Sequence, residues 1–290
     1  MSPVGRLNSS DQGFFCAKII RELYRLPMSI QFCYNEVKLN NMPRRKEGFE
    51  NGKIYHIILR ALDDNLIFKD VNDYYRGIFS IYEFNNTNSV TIQARRKARV
   101  TFKNSLKKVD RLPMSIQLPE FMDNRDTMVE TLAFCFMPNH IHLLLKQTKE
   151  NGISKFMQKV GIGYGKYFNG KYERKGHVFQ DAFKSVYIKR DEQFMVVASY
   201  IFTNPIALIE PGWKENGIKN HSVKEVIKFL ENYKWSSYQD CIGIKNFDSV
   251  TQRDFLMEMM GGEDGCKNVV EDWVSYKKDV VKYDSLFLEN

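Results

Sequence analysis

Apolar positions along the chain fall either into short continuous runs bounded by turn residues or into repeats near 3.6 residues. Gly52-Lys-Ile-Tyr-His-Ile-Ile-Leu-Arg60 is rich in β-branched and aromatic residues and bounded by Gly and Asn, which predicts a strand. Asp63-Asp64-Asn65 breaks it. Phe68, Val71, Tyr74, Tyr75, Ile78, Phe79 and Ile81 then recur at roughly helical spacing, with Asp70 and Asn72 available near the helix start. Val129–Met137 passes through Pro138-Asn139 into His140–Leu145, the pattern of two strands joined by a tight turn. Asp191, read as a helix cap, precedes Phe194, Val197, Ala198 and Ile201 at core-facing helical spacing, and Pro205 is expected to end that helix. In the tail, Phe255, Leu256, Met259 and Met260, then Val269, Val270, Trp273 and Val274, predict short helices packed on the domain. Strands alternating with amphipathic helices around an antiparallel pair define an α+β class.

Other stretches carry no such period. Residues 1–41 show only a short amphipathic run from Phe14 to Tyr24, and Met42-Pro-Arg-Arg-Lys46 reads as a fresh beginning. We therefore take 1–41 as an N-terminal extension with Met42 as a candidate start, 42–240 as the main domain and 241–290 as a helical tail. Arg25-Leu-Pro-Met-Ser-Ile-Gln31 recurs letter for letter at Arg111–Gln117, far below the unit size of a structural repeat. Residues 84–128 read as a basic insertion. Its centre, Arg95 to Arg111, holds eight basic residues, Arg95, Arg96, Lys97 and Arg99 among them, against the single acid Asp110. Such one-signed density suits phosphate contact better than a balanced solvated face.

Composition narrows the class. Lys plus Arg outnumber Asp plus Glu by 43 to 35, a formal charge of +8, and the sequence pI is near 9.1, which favours a polyanionic partner. The cysteines (Cys16, Cys33, Cys135, Cys241, Cys266) are odd in number and lack CxxC spacing, so neither a disulfide framework nor a zinc knuckle is indicated. Apolar runs are too short for a bilayer and the N-terminus lacks a signal-peptide core, so a cytoplasmic protein without membrane attachment is expected.

Candidate chemistry begins at His140-Ile-His142. On a strand these two imidazoles project to one face while Ile141 and Leu143 point to the other, so they can share a cation; two surface histidines are the plain alternative. Tyr200 and Asn204 lie four apart and share one helical face. Residues 151–190 hold nine basic residues against Glu173 and Asp181, and Lys166, Lys171, Arg174, Lys175 and Lys184 are candidate DNA contacts. Interleaved among them, Tyr164, Tyr167, Phe168, Tyr172, Phe179 and Phe183 offer rings for unpaired bases, about half of them expected in the core instead. Gly161, Gly163, Gly165 and Gly170 suggest a helix losing regularity; following no strand, they do not make a nucleotide-binding loop. His56, His177 and His221 read as structural.

Met137-Pro-Asn-His-Ile-His-Leu-Leu-Leu145 closely resembles the HUH motif of the single-tyrosine transposases, especially the REP-associated tyrosine transposases. Phe49–Ile57 resembles that family's first strand, Gly176–Lys184 its loop before the catalytic helix, Ser199-Tyr-Ile-Phe-Thr-Asn-Pro-Ile206 its tyrosine motif and Trp235-Ser-Ser-Tyr238 its closing tryptophan motif. The resemblance runs from about 42 to 240, interrupted by the basic insertion. It implies a ferredoxin-like or RRM-like antiparallel sheet with helices packed on one face. It also implies that Tyr200 attacks a phosphate of single-stranded or hairpin DNA and becomes linked to its 5′ end. His140, His142 and Asn204 would hold Mg2+ or Mn2+, nitrogen ligands favouring manganese and cellular abundance favouring magnesium. A monomer or a homodimer fits. Two other readings stay open: a repeat-DNA-binding protein that has lost cleavage, and a hydrolytic metallonuclease using water.

Overall fold

The alternation of the strands decides the architecture. In the computed structural model, residues 48–90, 123, 125–180 and 183–279 are described. The N-terminal extension, both copies of the heptapeptide and the basic cluster Arg95, Arg96, Lys97 and Arg99 lie outside them. Four strands, β1 (Ile54–Arg60), β2 (Val129–Met137), β3 (His140–Gln147) and β4 (Lys184–Ile188), pair antiparallel in the order β2-β3-β1-β4. Helix α1 (Val71–Glu83) connects β1 to β2, and α2 (Gly152–Lys171) connects β3 to β4. This is the split β-α-β of a ferredoxin-like sheet.

Each strand sends alternate residues to two separate cores. Tyr55, Ile57 and Leu59 of β1, Phe134 and Phe136 of β2, and Ile141, Leu143 and Leu145 of β3 pack with α1 and α2 on one face. The Asp70 side chain starts α1 by accepting from the amides of Asn72 and Asp73, while Asp73 returns a bond to the Asp70 amide, a reciprocal cap. Helix α2 stays regular through its glycines. Phe156, Val160, Tyr164 and Phe168 are buried at i, i+4 spacing, and Gly163 allows close approach, since a Cβ there would sit 2.1 Å from the Phe84 ring.

The second face carries the remaining helices. Helix α3 (Asp191–Thr203) lies across it, followed by a 3-10 turn (Asn204–Leu208), α4 (Trp213–Asn216), α5 (Val223–Asn232), α6 (Tyr238–Cys241), α7 (Asp254–Met260) and α8 (Gly262–Asp279). Leu256, Met260, Val270 and Val274 of the tail share one core with Ala198 and Ile201 of α3 and with Leu144 of β3. The two crossover helices thus lie together on one face as expected, and the opposite face is covered as well. Trp235-Ser-Ser237 runs along the outer edge of β2, where the Phe136 amide donates to the Trp235 carbonyl (2.8 Å) and the Ser237 amide to the Phe134 carbonyl (3.0 Å), so that edge is closed to further pairing.

One expectation for α3 changes and one holds. Arg190, not Asp191, is the N-cap of α3; Asp191 and Glu192 occupy its first turn, where acids suit the positive end of the helix dipole. The α-helix ends before Pro205 as expected, at Thr203, and the chain continues as a 3-10 turn, because a proline in the first positions of a new turn loses no intrahelical donor. Cys135, Cys241 and Cys266 are buried free thiols.

Candidate active site

The register of β3 fixes the site. His142 sits opposite Ile58 of β1 and Cys135 of β2, and His140 opposite Arg60 and Met137, so both histidines share the face covered by α3. Their rings lie 4.8 Å apart, centre to centre, and both are buried. Tyr200 reaches the pair from α3, its ring edge-on to His142 at 5.5 Å. Asn204, one turn further on, donates through Nδ2 to the Tyr200 carbonyl at 3.4 Å. The four candidate residues are therefore brought together by two elements, β3 and the α3 terminus.

The structure adds two residues that sequence reading left out. His56, taken as structural, is fully buried beside the pair: its Nε2 and the His142 Nδ1 share a hydrogen bond of 3.0 Å, and its ring lies 6.0 Å from that of Tyr200. Lys214, from the four-residue helix α4, donates through Nζ to the Tyr200 hydroxyl (3.2 Å) and to Asn204 Oδ1 (3.3 Å), with the ammonium 4.9 Å from the Tyr200 ring centre. His56 lies on a predicted strand, but only the β1–β3 register sets it against His142. Lys214 lies in no motif and carries no signal that a single sequence reveals.

Burial sets the charge state. His56 is pushed down to about 3, first by loss of solvent and then by the neighbouring His140. His142 is held well below the ordinary histidine value, again chiefly by burial, with His140, His56, Lys214 and Arg60 adding positive potential. Both rings are neutral at physiological pH, so each has one N–H and one lone pair. His140 Nδ1 lies 2.6 Å from Asn139 Oδ1, an acceptor, so Nδ1 carries a proton and Nε2 offers a lone pair whenever that ring is neutral. When His142 Nδ1 is the donor to His56, its own Nε2 likewise carries the lone pair, and that atom is buried without a hydrogen-bond partner.

These atoms fit a cation. Two imidazole nitrogens and an amide oxygen form a mixed donor set with positions left for other ligands, and Asn204 Oδ1 has a second lone pair beyond the one Lys214 uses. Among the described residues, no group of three or more His, Cys, Asp or Glu side chains is arranged to hold a metal by itself. Any ion at this place needs the amide and outside ligands.

The candidate DNA contacts among the described residues do not form one surface. Lys184 opposes Ile58 in the sheet register and so shares the histidine face. Helix α2, carrying Lys166, packs on the opposite face. There Lys155 and Lys166 line an open groove of about 670 Å3 with Ile162, His177, Phe179 and Phe183. Lys171 is committed elsewhere: its ammonium pairs with Asp70 (2.6 Å) and the buried Asp73 (2.7 Å), which also accepts from the Tyr167 (2.9 Å) and Tyr172 (2.6 Å) hydroxyls. Arg174 lies over the Phe168 ring at 5.6 Å, and Lys175 is exposed. Tyr164, Phe168 and Phe179 are core residues, close to the expected half of the aromatic set. His221 bonds Glu210 at 2.9 Å, as a structural histidine would.

Comparison with known proteins agrees with the motifs. Residues 110–204, which include the histidine pair, Tyr200 and Asn204, match the family described as "Transposase IS200 like". That stretch is 95 of the chain's 290 residues, and over it the sequence is similar to IS200-like transposases. Among solved structures it is similar to that of a REP-associated tyrosine transposase bound to a REP hairpin, at 13% identity and a TM-score of 0.40, covering 71% of this chain and 90% of that one. So distant a likeness carries no conclusion about chemistry. No curated protein matches the chain. Among the described residues, no helix is long and apolar enough to cross a membrane.

Proposed function

We propose that the chain nicks and rejoins single-stranded or hairpin DNA through a covalent 5′-phosphotyrosine on Tyr200. The observation that carries this reading is the packing of Tyr200 against His142, with Asn204 and Lys214 closing the same buried cluster. A tyrosine with only a structural role needs no cation at its hydroxyl and no orphaned imidazole nitrogen beside it.

In the forward step the Tyr200 oxygen attacks phosphorus, the bond from phosphorus to the 3′-oxygen breaks, and the proton lost by the phenol is balanced by the one gained at the released 3′-hydroxyl. The phosphotyrosine conserves the bond, so a 3′-hydroxyl can later attack it and expel the tyrosine. A phenol with a pKa of about 10 is a weak nucleophile at neutral pH, so the site must favour its ionised form and stabilise charge at phosphorus. His140 and His142 through Nε2, and Asn204 through Oδ1, would hold Mg2+ or Mn2+, which when bound supplies Lewis-acid polarisation of the phosphate. The chain's own groups do the rest. Burial excludes water from the tyrosine and so disfavours hydrolysis, Asn139 and His56 orient the imidazoles, and Lys184 on the same face would meet a flanking phosphate. Lys166 and Lys155 would engage more distant phosphates along their groove, and Arg95, Arg96, Lys97 and Arg99 belong to the same proposal by charge alone.

Incubation of the protein with labelled single-stranded hairpin DNA and Mn2+ or Mg2+ tests this. A denaturation-resistant protein–DNA adduct that disappears in Tyr200→Phe is expected. Cleavage without an adduct would favour a hydrolytic metallonuclease, and binding without cleavage a repeat-binding protein.

A further inference from the structure

Lys214 is 7% exposed, and a lysine buried to that degree loses much of the hydration that stabilises its charge. Its ammonium is directed at two atoms that matter to the chemistry above, the Tyr200 hydroxyl at 3.2 Å and Asn204 Oδ1 at 3.3 Å, with the Tyr200 ring beneath it at 4.9 Å. Helix α4, which supplies it, is anchored by Trp213, itself buried in the core shared by α3 and the tail. The lysine's stem is therefore fixed by packing, and its head bridges the proposed nucleophile and a proposed cation ligand.

We propose that Lys214 is a catalytic residue of this site, acting as the fixed cation that aims the Tyr200 oxygen and compensates charge at it in both directions of the reaction; the inference rests on the reading of Tyr200 as nucleophile. An N–H donated to the phenol oxygen restricts the hydroxyl's orientation and leaves a lone pair for phosphorus. Once the Tyr200 oxygen to phosphorus bond forms, the non-bridging phosphate oxygens lie next to that oxygen, within the field of an ammonium 3.2 Å from it. When a 3′-hydroxyl attacks the phosphotyrosine, the bond to Tyr200 breaks and the electron pair returns to the phenol oxygen as phenolate, facing the same ammonium. One residue thus serves nicking and rejoining, with no co-reactant beyond the two DNA ends.

The test pairs single-turnover adduct formation with a spectroscopic view of Tyr200 in the DNA-free protein. Lys214→Met removes the charge and keeps an unbranched apolar stem. Its adduct formation is expected to slow by about 100-fold at saturating DNA, the order seen when one donor to a developing oxyanion is lost, with hairpin affinity unchanged. Lys214→Arg, which keeps a donor, should recover at least a tenth of the parental rate. In protein carrying 13C-labelled tyrosine, the resonance assigned to Tyr200 by its loss in Tyr200→Phe should move in Lys214→Met. A folded Lys214→Met protein that forms adduct at the parental rate, or whose Tyr200 resonance is unmoved, overturns the proposal. If Lys214→Met does not fold, Lys214→Cys alkylated with bromoethylamine rebuilds the ammonium: recovery of rate on alkylation supports the role, and equal rates before and after contradict it. An adduct that persists in Tyr200→Phe, or parental protein that forms none, counts against the nucleophile reading itself.

Discussion

The two faces of β3 are built from one run of sequence and obey opposite rules. Toward α1 and α2 it sends Ile141, Leu143 and Leu145 into a core of aliphatic and aromatic groups. There the buried carboxylate of Asp73 is saturated by Lys171, two tyrosine hydroxyls and the amides of Lys69 and Asp70. Toward α3 it sends His140 and His142 into a cluster with His56, Tyr200, Asn204 and Lys214, where a buried imidazole nitrogen of His142 has no partner. The first face maximises stability. The second tolerates the cost of desolvated polar groups, which a fold retains only under some other constraint.

That contrast can be broken by substitution. Phe136→Ala on the packing face should lower unfolding free energy by about 3–5 kcal/mol in urea titrations, the cost of emptying a fully buried aromatic site. On the polar face, His142→Leu should cost roughly 1–3 kcal/mol because it strands His56 Nε2, whereas His56→Leu with His142→Leu should return stability to near the parental value or above it. A double substitution that destabilises by the sum of the singles would show that the pair is ordinary packing.

Acid should reveal the same asymmetry. The folded His56 value of about 3 lies below the unfolded value near 6.5, so the unfolded chain binds more protons between them. The stability held by the neutral ring is complete above pH 6.5 and is lost as pH falls toward 3, at up to about 1.4 kcal/mol per pH unit. His142, shifted the same way, adds to the slope. Melting measured from pH 7 to pH 4 should fall less steeply in His56→Gln than in the parent, and an unchanged slope would contradict the burial argument.

Two lysines in the C-terminal part of α2, Lys166 and Lys171, separate structure from binding at the smallest scale. Lys171→Ala should destabilise by about 1–3 kcal/mol through Asp73, whereas Lys166→Ala should stay within about 0.5 kcal/mol. The latter should instead weaken DNA binding equally across sequences and reduce the salt slope by about one. Equal effects on melting would erase the distinction drawn between them.

Much of this plan is legible in the chain, and the rest is hidden for definable reasons. β-Branched and aromatic runs bounded by turn residues in Gly52–Arg60 and Val129–Leu145 give three strands, strand geometry puts the histidine pair on one face, and Tyr200 with Asn204 follows from helical spacing. β4 is missed because Lys184-Ser-Val-Tyr-Ile188 is short and sits in a stretch whose charge and aromatic content suggest a binding loop. The glycines of α2 mislead because helix propensity is weak against four buried i, i+4 side chains. The ion pairs of Lys171, a candidate DNA contact, are hidden because its partners lie about a hundred residues earlier. His56 and Lys214 depend on strand register and on the packing of a four-residue helix, and neither is encoded in local pattern.

The central claim is that Tyr200, among fifteen tyrosines, forms the bond to DNA. The direct measurement is mass spectrometry of the protease-digested adduct formed with hairpin DNA and a divalent cation. A nucleotide-modified peptide spanning Ser199–Asn204 with the mass increment on Tyr200 is the predicted result; modification of any other residue, with Tyr200 unmodified, would contradict it.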